Sequence, residues 1–593
     1  WLKAWAKNWA LGTKDLNHVR EHMGEQIAYY FAFLHFYLQA LIPIAIIGVA
    51  AYFFLDDYST SYSLLLCMWS ITFIVAWKRQ QASLAESWGV VGTSKVDRDR
   101  PEFVPESYVV DPVSGETVGH YPIWKRLFVH AFATGPLIVL FVFLIAIVTM
   151  AILTVEVYTT AVYDGPYKQF VALTPVLLYV LSLPLISTLY FQLSKYLTDL
   201  ENNETKDSYT TSLTRKSFIL TCLLTQLSLL LVGLLYIPLS DLIMQETVLL
   251  PLFRKWSSMH LHLEAGRNLL TPAFLQERVL YFSVTAQVVN QLVEVLLPVV
   301  LAWVQAHILI QDPSKPTAAE PIQSTRETEV AALAKEIEDA LAMPVYDMYD
   351  DYAELANQFG ILVMFSASWP LVGLACLINN FTELRTDAFK ICKTVRRPIP
   401  DRTESIAPWS QMFAILSLLG TATTALLTAL YSNWDPAKLA SEQTLPQLGF
   451  LVLLLIAVEH THVALSFLVS VGMDVVWGDM RALKERREKY TRISGRVEEI
   501  IVEYEGGEAA VDAKVDEVVA VVDEVFGTKM VGLRDVHVAK PRKALRKTKE
   551  GKISVLGFNE TAEQVLMALG VYGDIGLSTE EAENRLLVYG PNG

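Results

Sequence analysis

Charged residues are scarce in this chain. Only 19% of its 593 residues are Asp, Glu, Lys or Arg, where a soluble protein of this size would carry about a quarter. A fully water-facing surface is therefore not expected. Cysteine is scarcer still. Cys67, Cys222, Cys376 and Cys392 fall in or beside apolar runs, none close to another, so neither a zinc site nor a disulfide framework is implied and buried free thiols are expected. Basic excess is missing too. A net charge of −15 excludes a general nucleic-acid binder, whose footprint would be basic. No nucleotide-binding motif occurs, so no nucleotide partner is expected. The first thirty residues hold no cleavable signal pattern. The chain opens at Trp1 rather than Met, so a preceding cytosolic portion is expected to be missing.

What the sequence does hold is apolar length. Hydrophobic residues make up 52% of the chain, its mean hydropathy is +0.34, and they gather in runs long enough to cross a bilayer as helices. Ten spans are expected at 25–55, 61–79, 128–155, 169–193, 217–240, 279–310, 352–369, 371–395, 407–432 and 446–477. Lys and Arg accumulate in cytosolic loops. They cluster before the first span and after the second, fourth, eighth and tenth, whereas the connections near Asp56–Asp57, Glu156–Asp164 and Asp435–Glu442 are poor in them. That alternation predicts an integral membrane protein with both termini in the cytosol.

The expected organisation is a pre-membrane helix (1–24), a ten-span domain (25–478) and a cytosolic helical tail (479–593). The domain is interrupted by a cytosolic segment at 86–126, an outer loop at 241–277 and a cytosolic helix within 311–345. Residues 107–121 alternate around a Pro/Gly turn and read as a hairpin. The fold class is all-α and polytopic, with that hairpin as its small β element. In the tail, a Val-striped helix is expected at 511–525. The basic run 540–552 reads equally as a solvated linker or a contact with anionic lipid.

Three spans carry polar residues at helical spacing: Asn290 and Glu294, Asp351 and Glu354, Glu383 and Asp387. Residues three or four apart share a helix face, so each pair can present two oxygens to one point. A single intramembrane acid is often a packing or proton-relay group. Three such pairs on consecutive spans at similar depth are harder to dismiss. Five carboxylates at about 2.5–3.5 kcal/mol each would cost on the order of 10 kcal/mol without compensation. Protonation would neutralise some of them. Ca²⁺, which takes six to eight oxygens, would compensate better, and Mg²⁺ worse because it keeps much of its water. The set can hold one ion, or two if the carboxylates bridge. Arg385 lies about 200° around the helix from Glu383 and is not expected to be the counter-charge. Glu459, His460 and His462 sit too close along one helix to face together, so a hydrogen-bonded packing interface is expected there instead of a metal.

From Asp351 to Pro398 the order Asp-x-x-Glu, Asn-Gln-Phe-Gly (357–360), Asn-Asn-x-x-Glu-x-Arg-x-Asp-Ala (379–388) and Arg-Arg-Pro (396–398) resembles the anoctamin family of homodimeric Ca²⁺-activated channels and lipid scramblases. The resemblance covers roughly residues 1–490. It implies two Ca²⁺ ions per subunit on Asn290, Glu294, Asp351, Glu354, Glu383 and Asp387, and a homodimer working on membrane phospholipids of the plasma membrane or endoplasmic reticulum. The short, cysteine-poor outer loops are most similar to fungal scramblases. A non-enzymatic, Ca²⁺-activated passive phospholipid scramblase, with accompanying nonselective ion conduction, is the implied function. A Ca²⁺-gated ion channel without scrambling and a membrane tether are the alternatives.

In the family, headgroups cross through a furrow lined by the fourth to sixth spans. Here that implies Thr174, Pro175, Tyr179, Tyr281 and Thr285, with Tyr281 as constriction. Individual Ser and Thr side chains in such helices more often bond their own backbone. Glu294 lies just before Pro298, a natural bending point, so Ca²⁺ is expected to draw the sixth span toward the seventh and eighth and open the furrow. Residues 576–592 are similar to the start of P-type cation pumps. No Asp-Lys-Thr-Gly phosphorylation sequence occurs among these residues, and a pump is not expected. A helix capped by Ser578 is the expected structure there.

Overall fold

The computed structural model describes residues 12–93, 100–110, 117–163, 165–238, 270–293, 343–432 and 444–477, scattered positions between 300 and 341, and two short strands near 550. Among the described residues, eleven helices of nine or more residues carry the architecture. Helix α1 (Thr13–Met23) precedes α2 (Glu25–Phe54) and α3 (Thr60–Ser87). Then come α4 (Ile123–Thr160), α5 (Thr174–Leu200) and α6 (Lys206–Tyr236). Helix α7 begins at Pro272 and stays helical to residue 293. Helices α8 (Met348–Phe365), α9 (Val372–Lys393), α10 (Trp409–Tyr431) and α11 (Thr444–Trp477) complete the set.

Seven of these are long and apolar enough to cross a membrane by length and composition: α2, α3, α4, the helix ending at Leu200, α6, α10 and α11. Helices α8 and α9 fall outside that group because they carry the acids. This is an all-α, polytopic membrane protein. The hairpin expected at 107–121 is present as β1 (Ser107–Val110) paired antiparallel with β2 (Thr117–His120). The tail departs from expectation in one place. Strands β3 (Leu545–Lys547) and β4 (Ile553–Val555) pair antiparallel inside and just after the run read as a basic linker. The helices expected at 511–525 and after Ser578 lie outside the described residues. So do Glu294, Pro298 and most of the 325–342 helix.

The core lies where α8 packs on α10 and α9 packs on α2, with α3 alongside. Phe33 is its hub, with ring centroids 4.9 Å from Trp77 and 4.8 Å from Phe413. Such pairs add about 0.5–1.5 kcal/mol each beyond simple burial. Within lipid, helices gain little from hiding apolar surface and associate by close packing, which small residues permit. Gly48 meets the backbone at Pro370, and Gly420 meets Val363 so closely that a Cβ there would lie 2.4 Å from its Cγ2. A separate small cluster of Phe141, Ile145, Ile186, Tyr190 and Leu220 joins α4, α5 and α6.

The four cysteines are free, as expected, but only Cys376 is buried, while Cys67, Cys222 and Cys392 are half-buried. At one end of α11, Arg79 of α3 donates to the carbonyls of Ser470 and Met473, both at 3.1 Å, where a cation complements the helix C-terminus.

Candidate functional site

The site is built by a helical hairpin. Asp347 caps α8 by accepting from the Tyr349 amide at 2.9 Å. The positive end of the helix dipole favours Asp350 and Asp351 in the first turn. After the tight turn following Phe365, α9 runs back, so its last turns, with Glu383, Asp387 and Lys390, return beside the start of α8. Asp351, Glu383 and Asp387 are all buried, at 4%, 3% and 2% exposed. Glu354, one turn beyond Asp351, is half-buried.

Each buried carboxylate faces a donor. Lys390 Nζ lies 2.5 Å from Asp351 Oδ1 and 3.8 Å from Asp387 Oδ1. Tyr346 donates to Asp351 Oδ2 at 2.5 Å, and Tyr30 of α2 donates to Asp387 Oδ2. Asn379 Nδ2 donates to Glu383 Oε2 at 3.0 Å. Burial, together with the neighbouring Asp351 carboxylate, holds the Tyr346 phenol well above its usual range, so it remains a donor. Tyr346 is itself strapped beside α9, because the Arg396 amide donates to Pro344 O at 2.8 Å.

Asn380 stands on the same face, three residues before Glu383 and seven before Asp387. It is completely buried, and neither polar atom of its amide has a hydrogen-bond partner among the described residues. An unpaired buried amide costs about 1–3 kcal/mol. This oxygen, unclaimed beside three buried carboxylates, fits a hard divalent cation. Among the described residues, no three His, Cys, Asp or Glu side chains converge closely enough to chelate one ion as they stand. Lys390 is inserted between the two aspartates.

The hairpin thus brings Asp351, Asp387 and Glu383 to one end of one helix pair. Asn290 stands apart and is exposed. Its neighbour Gln291 reaches α9, accepting from Thr382 Oγ1 at 2.9 Å. Arg385 turns away as expected, stacking 3.7 Å over Phe381. His462 packs against Thr421 at 2.9 Å, whereas Glu459 and His460 are exposed and pair with each other. Tyr30, Tyr346 and Lys390 belong to the site; no spacing rule selects the two tyrosines, whereas Lys390 lies three residues after Asp387 and shares its helix face.

The furrow residues divide. Tyr281 is 53% exposed and Thr285 is exposed, and both lie in a π-helical turn, Tyr281–Thr285. Such turns recur at functional sites. Tyr179 donates to Leu224 O at 3.4 Å, Pro175 is buried and Thr174 half-buried. Ser187 and Thr188 both donate to Pro184 O, satisfying a backbone carbonyl of their own helix.

A second polar knot lies where α5 meets α6. Glu201 accepts from Lys216 at 2.6 Å and from Ser212 at 2.5 Å, with His130 3.3 Å away. Both members of the ion pair are buried. Burial works to raise the Glu201 carboxyl, but the Lys216 contact, Ser212 and His130 outweigh it and hold it below its usual range.

The sequence model of a family described as "Anoctamin: Calcium-activated chloride channel" matches residues 19–488. A second, described as the N-terminus of cation transporters and ATPases, matches 558–593. An uncharacterized protein of Schizosaccharomyces pombe is 31% identical over 438 residues, covering 73% of this chain and 64% of that protein. Human Anoctamin-10 is 25% identical over 476 residues, 79% of this chain and 64% of its own length. Human Anoctamin-7 is 24% identical over 501 residues, 73% of this chain and 51% of its own. The chain therefore spans about half to two thirds of the length of these relatives.

Proposed function

The chain belongs to the anoctamin family, and from that premise we propose that it is a Ca²⁺-activated, passive phospholipid scramblase. The observation that carries the reading is three carboxylates, Asp351, Glu383 and Asp387, buried at one end of a hairpin packed among apolar helices. Asn290, Glu294, Asp351, Glu354, Glu383 and Asp387 would hold the metal, two ions per subunit of a homodimer. Bound Ca²⁺ would supply the positive charge that lets their oxygens share one space. The chain's own residues prepare that space. Tyr30 and Tyr346 orient the two aspartates, Asn379 fixes Glu383, and Asn380 adds an amide to the same face.

Headgroups then travel along α5 and α7, past Thr174, Pro175, Tyr179 and Thr285, with Tyr281 as the narrowest point. The π-helical turn at Tyr281 supports this, because a turn with slack hydrogen bonding can shift without breaking the helix. In this reading both termini face the cytosol, which the Lys and Arg distribution supports.

The experiment is fluorescent-lipid accessibility to dithionite in proteoliposomes, with and without Ca²⁺. Replacing both Asp351 and Glu354 with Ala is expected to abolish the Ca²⁺-dependent component. Undiminished stimulation in that variant sinks the assignment. A second reading, a Ca²⁺-gated ion channel, is favoured by the description of the matching family. It predicts Ca²⁺-dependent current with no loss of lipid asymmetry.

A further inference from the structure

We propose that Lys390 is a built-in competitor of the divalent ion: its ammonium holds the position between Asp351 and Asp387 and must leave before that position accepts a cation. This rests on the functional reading above and adds a residue that sets its threshold. The geometry is specific. Nζ lies 2.5 Å from Asp351 Oδ1 and 3.8 Å from Asp387 Oδ1. The Oδ2 atoms of both aspartates are engaged by Tyr346 and Tyr30, so the Oδ1 atoms shared with Lys390 are the ones turned toward a common point.

A Ca²⁺ ion sits 2.3–2.6 Å from its oxygens. An ammonium 2.5 Å from one of those oxygens and a divalent ion on the same oxygen would lie only about 4 Å apart, where like charges in a buried site repel strongly. Lys390 is also well placed to wait there. It lies in the last turn of α9, where the helix dipole favours a cation, and 5.9 Å above the Tyr346 ring. Its long, rotatable stem suits an arm that moves aside without disturbing the backbone. A competing internal cation lowers apparent affinity by the fraction of time it occupies the site.

Two consequences follow. Removing the charge frees the position and tightens divalent binding. It also leaves Asp351 and Asp387 facing each other without a cation, so the protein becomes dependent on the ion for its stability. Full-length wild-type, Lys390→Met and Lys390→Arg proteins, purified in detergent with Ca²⁺ and then stripped with chelator, are titrated with Ca²⁺ calorimetrically and melted with and without it. Lys390→Met is expected to bind Ca²⁺ at least about tenfold more tightly than wild type. It should melt earlier in chelator and regain the loss with Ca²⁺, while Lys390→Arg keeps wild-type affinity within about threefold.

Equal or weaker binding in Lys390→Met overturns the proposal. So does an equal tightening in Lys390→Arg, because the positive charge would then not be the cause. A Lys390→Met protein that fails to fold even in saturating Ca²⁺ also overturns it, since a residue required alongside the ion is not displaced by it. Absence of binding to wild type is a distinct result. It removes the functional reading itself, and the competitor with it.

Discussion

Helix α5 and the α8–α9 hairpin solve opposite problems. The apolar stretch that includes α5 has only 12% of its residues buried. Leu177, Leu181 and Leu185 are 67–76% exposed. In the hairpin, the carboxylates of Asp351, Glu383 and Asp387 and the amides of Asn379 and Asn380 are nearly sealed, and Leu355, Phe359, Leu362 and Phe365 are at 0%. In water this would be inverted. In a bilayer the apolar helix can face its solvent directly, whereas acids must turn inward toward partners. The hairpin is therefore expected to resist change through packing and α5 through its few polar ties.

The sharpest break of that contrast is at the knot where α5 meets α6. Lys216→Met leaves Glu201 buried without its ammonium, and removing one partner of a buried pair costs about 3–5 kcal/mol. The exposed pair Lys206–Asp401, 3.3 Å apart, is the control. Lys206→Met is expected to cost less than about 1 kcal/mol. Thermal unfolding in detergent measures both, and equal losses would mean that burial does not set the value of the knot.

The same pair gives an acid limit. A carboxyl held below its ordinary value of 4.5 contributes stability that is complete above that pH and lost as pH falls through the lower folded value. Wild type is expected to lose melting temperature more steeply below pH 4.5 than Glu201→Gln. Parallel curves would remove Glu201 from the acid response.

Within the packed half, space is the test. Gly420→Ala drives a Cβ against Val363 and should cost about 1–3 kcal/mol by overpacking. At Gly472 in α11 a Cβ meets nothing within 4 Å. There Ala is expected to be neutral or to stabilise by up to about 1 kcal/mol through helix propensity. Comparable destabilisation at both positions would show that α11 is packed as tightly as α10.

Much of this was readable in the sequence because bilayers leave long apolar runs and lone acids conspicuous. The helices announced themselves by length, and Asp351, Glu383 and Asp387 by spacing along single helices. Spacing says nothing about partners on other helices. Tyr30 meets Asp387 across 357 positions of chain. Lys390 reads as one of several basic residues marking a cytosolic loop until α8 is laid beside it. Asn290 was chosen by the same rule, and Glu294 lies outside the described residues; beside the exposed Asn290, Gln291 is joined to Thr382 of α9 by a hydrogen bond. The β3–β4 pair escaped notice because its short first strand, Leu-Arg-Lys, lies within a basic run that looks like linker. Pairing, more than composition, decides short strands.

The smallest expected effect separates polar residues that serve a helix from those that serve a passing headgroup. Ser187 and Thr188 both donate to Pro184 O, a carbonyl that the α-helix already pairs with the amide four residues on. If that is their task, either hydroxyl can substitute for the other. Ser187→Ala or Thr188→Ala alone is then expected to change the scrambling rate by less than about twofold and stability by less than about 0.5 kcal/mol. The double variant should also lose less than about 1 kcal/mol, because the carbonyl keeps its backbone donor. A tenfold drop in lipid transfer from either single variant, at unchanged melting temperature, would move these hydroxyls out of the helix's own bonding and into the lipid path.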